Sequence, residues 1–195
     1  MADSWFRIRR IRPADDQKVA AIIRAVMPTF GAVGPGFAIS DPEVDHMCRA
    51  YDRPGAAFFV VASGAGAAAE VVGGAGVAPL DGAAADAQTC ELRKMYFLPT
   101  ARGHGVGARL LALCLRIARE LGYSRCYLET LGGMNQAIKL YERFGFARLP
   151  GPLGSTGHHG CDRYYLRSVA ELGDIAPLIA AADSLPDPPT EDDPR

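Results

Sequence analysis

One stretch limits what this chain can fold into more than any other: Leu92–Leu121, LRKMYFLPTARGHGVGARLLALCLRIAREL. At its centre, Arg102-Gly103-His104-Gly105-Val106-Gly107 places three glycines at alternate positions between an apolar strand and an amphipathic helix. Without side chains there, successive backbone N–H groups can turn toward a single ligand. The helix that follows adds the unpaired N–H groups of its first turn and the positive end of its dipole. Such a loop suits phosphate, and Arg102 at its mouth can pair with a further phosphate oxygen.

Three phosphate loops compete for this pattern. The mononucleotide loop GxxxxGK[ST] is absent, because neither Lys-Ser nor Lys-Thr follows the glycines. The dinucleotide fingerprint GxGxxG is not met strictly, since the sixth position is Leu110 counted from Gly105 and Ala108 counted from Gly103; an alanine is sometimes tolerated there, so context decides. The strand before the loop ends Phe97-Leu98-Pro99 and needs much of the chain ahead of it, unlike a strand that opens a dinucleotide unit. The pattern that fits is [Q/R]xxGx[G/A], met by Arg102, Gly105 and Gly107. With MYFLP before it and LYERFGF after it, over roughly Arg7 to Arg167, the chain resembles the GNAT superfamily of N-acetyltransferases.

That resemblance implies an α/β fold with a mixed, mostly antiparallel sheet and helices on both faces. It implies acetyl-coenzyme A as cosubstrate, with the pyrophosphate over Arg102, Gly103, His104, Gly105, Val106, Gly107 and Ala108. Backbone groups of the strand around Met95, Phe97 and Leu98 would meet the pantetheine arm and the oxyanion. Asn135 sits where the family has an amide on that arm; as a residue it serves equally well as a helix N-cap. Tyr141 in LYERFGF matches the family's acid for the departing sulfur, although its spacing from Ala137 and Phe144 also suits a packing tyrosine. Glu91 and Glu129 stand at family positions for the base, Glu91 the preferred of the two. Each could instead be a strand carboxylate paired with Arg93 or Arg125. His104 is expected to point to solvent.

The rest of the chain agrees with one domain over 1–168 and an extension over 169–195. Phe6–Ile11 alternates apolar and basic residues, a half-exposed strand, and Asp15 or Asp16 can cap the helix that follows. Thr29–Pro42 reads as a loop, then a short helix over Pro42–Tyr51 capped by Asp41; by family resemblance this first helix pair walls the acceptor site. Ala57–Ala62 and Val71–Ala78 are apolar strands joined through Ser63–Glu70, and Pro79–Gln88 is a loop. In Thr89–Leu98 the adjacent charges Arg93-Lys94 break the alternation, which a bulge would restore by letting Leu92 and Met95 face the same way. The long helix carries Arg109, Arg116 and Arg119 off its apolar face, where solvent is expected. Then follow a strand over Ser124–Thr130, a helix over Asn135–Phe144 and a strand pair over Phe146–Leu149 and Cys161–Leu166. A weak helix over Val169–Asp183 and an acidic, proline-rich tail, PDPPTEDDPR, expected to be disordered, end the sequence.

Composition narrows the function classes. A net charge of −1 gives no general field for nucleic acid or an acidic membrane. No signal peptide opens the sequence and no apolar run approaches the roughly 20 residues of a membrane span, so a cytoplasmic protein is expected. Cysteines number 5, with no CxxC pair, and Cys90, Cys114 and Cys126 read as core residues. His158, His159 and Cys161 lack a fourth ligand at a sensible distance, so no metal is expected. Solvent is the expected setting of that loop; its likeness to the family's acceptor-side hairpin gives either histidine the alternative of contacting the acceptor or assisting proton removal. The expected reaction is direct transfer of an acetyl group to a primary amine, on a small molecule in preference to a protein. A non-catalytic coenzyme A-binding module and an enzyme for longer acyl chains stay open, as does a homodimer.

Overall fold

The computed structural model describes residues 6–64, 66, 69–82, 88–177 and 180. Seven strands form one sheet in the order β1-β2-β3-β4-β5-β7-β6. They are β1 (Phe6–Arg10), β2 (Ala57–Ser63), β3 (Glu70–Pro79), β4 (Thr89–Phe97), β5 (Arg125–Thr130), β6 (Ala147–Leu149) and β7 (Arg163–Ser168). Every neighbouring pair is antiparallel except β4 and β5, which run parallel and are joined through the long helix. The expected mixed, mostly antiparallel sheet is present.

Helices cover both faces. On one face lie α1 (Asp16–Val26) and the short α2 (Met47–Ala50). They bury Val19, Ile22, Ile23, Val26 and Met47 against Phe58, Val60, Val71 and Ala78. On the other lie α3 (Val106–Glu120) and α4 (Asn135–Arg143), whose Leu110, Leu111, Cys114, Leu115, Ala118 and Tyr141 meet Phe59, Val61, Val77, Leu92 and Cys126. The continuous apolar runs in β2 and β3 follow from this, since a strand covered on both sides has no polar face to show. Glycines in β3 make room for aromatics: a Cβ on Gly73 would fall against the Phe97 ring, and on Gly76 it would lie 2.6 Å from the Phe58 ring.

Of the three expected caps only Asp15 acts as one, in a capping box on the turn Pro13–Asp15 that leads into α1. Asp15 accepts from both ends of the Arg9 guanidinium (2.6 and 2.8 Å) and from the Arg12 N–H (2.7 Å). Asp16 accepts the Cys48 N–H at 2.7 Å, which ties α1 to α2. Asp41 precedes a 3-10 turn, Pro42–His46, and its side chain points to Lys94 and His158 instead. Arg109, expected in solvent, donates to the Phe6 carbonyl at 3.2 Å. Beyond Ser168 the chain continues into the core, where Val169, Leu172 and Ile175 are buried. The expected acidic tail lies outside the described residues.

Candidate active site

The site is made by an interruption in the sheet. Strands β4 and β5 pair at Thr89↔Arg125, Cys90↔Cys126 and Glu91↔Tyr127, and no further. Past Glu91, β4 continues to Phe97 and β5 to Thr130, each paired only with its outer neighbour. The cause is in β4. Between Arg93 and Tyr96 it takes three steps while β3 takes two, Gly76 to Gly74, so one residue bulges. Lys94 sits in that bulge at φ 55, the one non-glycine residue with positive φ among those described. Leu92 and Met95 consequently both pack on the α3 side, as the broken alternation of Arg93-Lys94 predicts.

The larger of two clefts at this gap runs over the glycine loop. It is lined by Met95, Phe97, Arg102, Gly103, Gly105, Gly107, Ala108 and Asn135 among the residues expected to meet a cofactor. Gly103 and Gly105 adopt φ 82 and 74, and a Cβ on either would meet nothing within 4 Å. Helix α3 starts on Gly105, whose carbonyl accepts from Ala108 and Arg109. The N–H groups of Val106 and Gly107 therefore lie ahead of the helical ladder, as at any helix start. Arg102 folds back on the strand, donating to the Phe97 carbonyl at 3.1 and 3.2 Å.

Three residues expected in this group stand apart from the cleft. The Val106 side chain is buried in the core, His104 is exposed with its ring 5.2 Å from that of Phe6, and the Leu98 N–H donates to Val72 O at 2.8 Å. Asn135 is the first residue of α4, after Met134, and no side chain caps that helix, so the capping alternative for it is corrected. Lys139 and Arg143 also line the cleft. With Asn135 they form an i, i+4, i+8 row, a spacing legible in the sequence.

The smaller cavity lies where the strands part, on the α1 side. Met27, Phe37 and Ala38 wall it, together with Glu91, Lys94, Tyr96, Glu129, Met134, Tyr141, His158 and Cys161. Four residues border both spaces: Met95, Tyr96, Met134 and Tyr141. Tyr141 is 6% exposed, and its ring meets Phe146 edge-on at 5.9 Å. Burial pushes its phenol well above the usual value, so it is a proton donor throughout the neutral range.

The carboxylates have different surroundings. Glu91 is buried and accepts from Arg93 Nε at 2.6 Å, so the expected pairing with Arg93 is present within the cavity wall. Burial raises its pKa and outweighs the opposing charges of Arg93 and His158. Glu129 accepts from the Tyr127 hydroxyl (2.8 Å) and from Thr156 Oγ1 (2.9 Å), both through Oε1. The pairing with Arg125 expected as its alternative is absent; Arg125 Nε donates to Thr89 Oγ1.

His158 departs from the solvated setting expected for it. Its side chain is 12% exposed, with Nε2 at 2.9 Å from Asp41 Oδ2 and Nδ1 at 3.9 Å from Glu91 Oε1. Lys94, buried, reaches Asp41 and, at 2.7 Å, Glu43. His159 is exposed. Burial lifts the Cys161 thiol to about 12, so it stays protonated. Among the described residues no group of three or more His, Cys, Asp or Glu could hold a metal. No described helix is long and apolar enough to cross a membrane.

A parallel strand pair that parts beside a glycine loop at a helix start defines a class of protein, and comparison with known proteins names it. Residues 18–146 match the model of the Acetyltransferase (GNAT) family. The chain belongs to the GNAT family and is an acetyltransferase. It is 41% identical over 163 residues to the N-acetyltransferase YjgM of Escherichia coli K12, covering 83% of this chain and 94% of that one. A GNAT-family acetyltransferase of Staphylococcus aureus Mu50 superposes with a TM-score of 0.69 at 19% identity, over 85% of this chain and 99% of that one. The Salmonella typhimurium protein yncA, solved with its cofactor acetyl-CoA, superposes at 0.62 with 21% identity, over 86% and 96%.

Proposed function

We propose that this protein transfers an acetyl group from acetyl-coenzyme A to a primary amine by direct attack. The observation that carries the reading is the pair of spaces meeting at Tyr141, one lined by the glycine loop and the other by carboxylates. The open cradle at Gly103 and Gly105, the start of α3, and the cations Arg102, Lys139 and Arg143 suit a polyphosphate. When bound, acetyl-coenzyme A supplies the thioester carbonyl and a thiolate leaving group.

The chain's own groups then have separable tasks. Backbone N–H groups past the bulge, from Met95 to Phe97, border the gap and stabilise negative charge on the carbonyl oxygen. Tyr141 gives its proton to the leaving sulfur. Glu91 and Glu129 border the amine's path, and their negative charge favours loss of its proton, Glu91 first because burial raises its pKa. A small cavity, lined from two covering segments by Phe37, Ala38, His158 and Cys161, suits a small amine better than a protein lysine. The near-neutral charge and the family's chemistry fit a cytoplasmic enzyme.

The test is thiol release from acetyl-coenzyme A against a panel of primary amines, beside a thermal-shift titration with coenzyme A. Amine-dependent release together with a melting shift supports the reading. A shift without release for any amine would mark a coenzyme A-binding module instead. Release that is faster with a longer acyl-coenzyme A would move the assignment to that donor.

A further inference from the structure

Two segments far apart in sequence close over the smaller cavity, and the groups joining them are those of a proton acceptor. His158, in the loop between β6 and β7, meets Asp41, in the segment between α1 and α2, through Nε2 and Oδ2 at 2.9 Å. Around this contact the segments are seamed by Gly160 N donating to Gly36 O (3.0 Å). The Phe37 ring lies against Gly160, where a Cβ would come within 2.4 Å of it. On the other side the loop is moored to β5, one of the two strands that part. Leu153 N donates to the Tyr127 hydroxyl (3.1 Å) and Thr156 Oγ1 to Glu129 (2.9 Å), while the His158 N–H donates to Thr156 Oγ1 (3.2 Å). The imidazole is thus fixed at its backbone, at its Nε2 and along its loop.

We propose that His158 is the catalytic proton acceptor for the amine, with Asp41 as its positioning partner and Glu91 as the charge behind it. The inference rests on the acetyl-transfer reading above and specifies which group takes the proton. Asp41 is acceptor-only when ionised, so the neutral imidazole carries its hydrogen on Nε2 and leaves the Nδ1 lone pair on the side of Glu91 and the cavity. Glu91 is a poorer direct acceptor because its Oε2 is engaged by Arg93, but its Oε1 lies 3.9 Å from Nδ1 and stabilises the cation that forms.

The bonds balance. The amine nitrogen bonds to the carbonyl carbon as its proton passes to His158 Nδ1, and the carbon–sulfur bond breaks as Tyr141 protonates the sulfur. Solvent then removes the proton from His158 and restores that of Tyr141. Three charges face the imidazole: Asp41 from the α1–α2 segment, Glu91 from β4 and Lys94 from the bulge. Burial alone would lower its pKa, but the hydrogen bond and charge of Asp41 and the charge of Glu91 outweigh that and the opposing Lys94, leaving it raised. The enzyme should therefore work best on the alkaline side, once His158 is neutral.

The test compares the full chain with His158→Gln, His158→Ala and Asp41→Asn, using the panel amine that turns over fastest. His158→Gln should lower kcat/KM roughly a hundredfold or more and abolish the acid limb of its pH profile, while the coenzyme A thermal shift persists. Imidazole in the buffer should restore part of the His158→Ala rate. Asp41→Asn removes an anion beside the imidazolium, so its acid limb should move to lower pH. Nitrogen-15 NMR of labelled histidine should find neutral His158 in the Nε2–H form and titrating above an ordinary histidine. An unchanged pH profile in His158→Gln, or an Nδ1–H tautomer, would overturn the proposal. If the unaltered protein acetylates no amine, the acetyl-transfer reading fails, and the tautomer alone then decides whether the dyad exists.

Discussion

Asp15 shows how a single carboxylate can hold a strand to a helix. Burial alone would raise its pKa, but hydrogen bonds from the Arg9 side chain and the Arg12 backbone, with the charges of both arginines, outweigh that and hold it below the usual range. Because the folded value lies below the unfolded one, the stabilisation is complete above about pH 4 and is lost as pH falls through the folded pKa. Asp15→Asn should cost about 1–3 kcal/mol at pH 7, and the difference from the unaltered protein should vanish in denaturant melts carried toward pH 2. Tyr141→Phe removes only a hydroxyl from a packed ring. Turnover should fall roughly ten- to a thousandfold with coenzyme A affinity little changed, read by initial rates and titration; an unaltered rate would leave Tyr141 a packing residue. Tyr141 and Glu91 could be singled out in the sequence because family motifs surround them. His158 stands out there only as one of two loop histidines with acceptor contact or proton removal as the alternative to solvent, and Asp41 only as a helix cap. Their contact spans 117 positions, and a histidine between glycines looks solvated until a second segment is seen to cover it.

At the level of elements, the glycine loop and the bulge carry the most specific expectations. Gly105 stands at φ 74 with open space beyond it. Gly105→Val should therefore cost about 1–2 kcal/mol from the left-handed backbone and cancel the melting shift given by coenzyme A. A variant that folds and still shows the full shift would place the phosphates elsewhere. Gly76 differs, since a side chain there meets Phe58, Tyr51 and the Ala57 carbonyl. Gly76→Val should lower stability by about 1–3 kcal/mol with no special effect on binding. Both glycines are plain in the sequence, but only the loop advertises its purpose, because its neighbours fix a ligand geometry. The bulge was legible for a related reason: two adjacent charges cannot both avoid the core of a strand covered on each face. That Lys94 would then be buried against Asp41 and Glu43 was not, because those partners lie in an irregular segment with no periodicity to read. The short helix that Pro42–Tyr51 suggests is present, as a 3-10 turn over Pro42–His46 that runs into α2.

Across the whole molecule, two truncations at the C-terminal side should behave differently. Val169, Leu172 and Ile175 are buried against the core built by α3, β5 and β7. A chain ending at Ser168 should lose on the order of 5 kcal/mol, from about 1.5–3 kcal/mol for each apolar side chain no longer buried. That is comparable with the stability of an entire domain. A chain ending at Ser184 should melt like the full protein, since Leu185–Arg195 is polar, acidic and rich in proline. Thermal melts of the two would check the pair; equal loss in both would assign the tail a structural role.

The three residue pairs that join β4 to β5 have a mechanical meaning as well. They make the sheet resemble a zipper left undone over half its length: one side runs from β1 to β4, the other from β5 through β7 to β6. An extended ligand lying in the gap would offer backbone-like partners to both rows of teeth and draw them shut. Its affinity would then appear as resistance to parting, since whatever binds only the closed form stabilises it by mass action. Amide exchange should slow on ligand addition along Leu92–Phe97 and Leu128–Thr130 together, while the outer strands β1 and β6 keep their own rates.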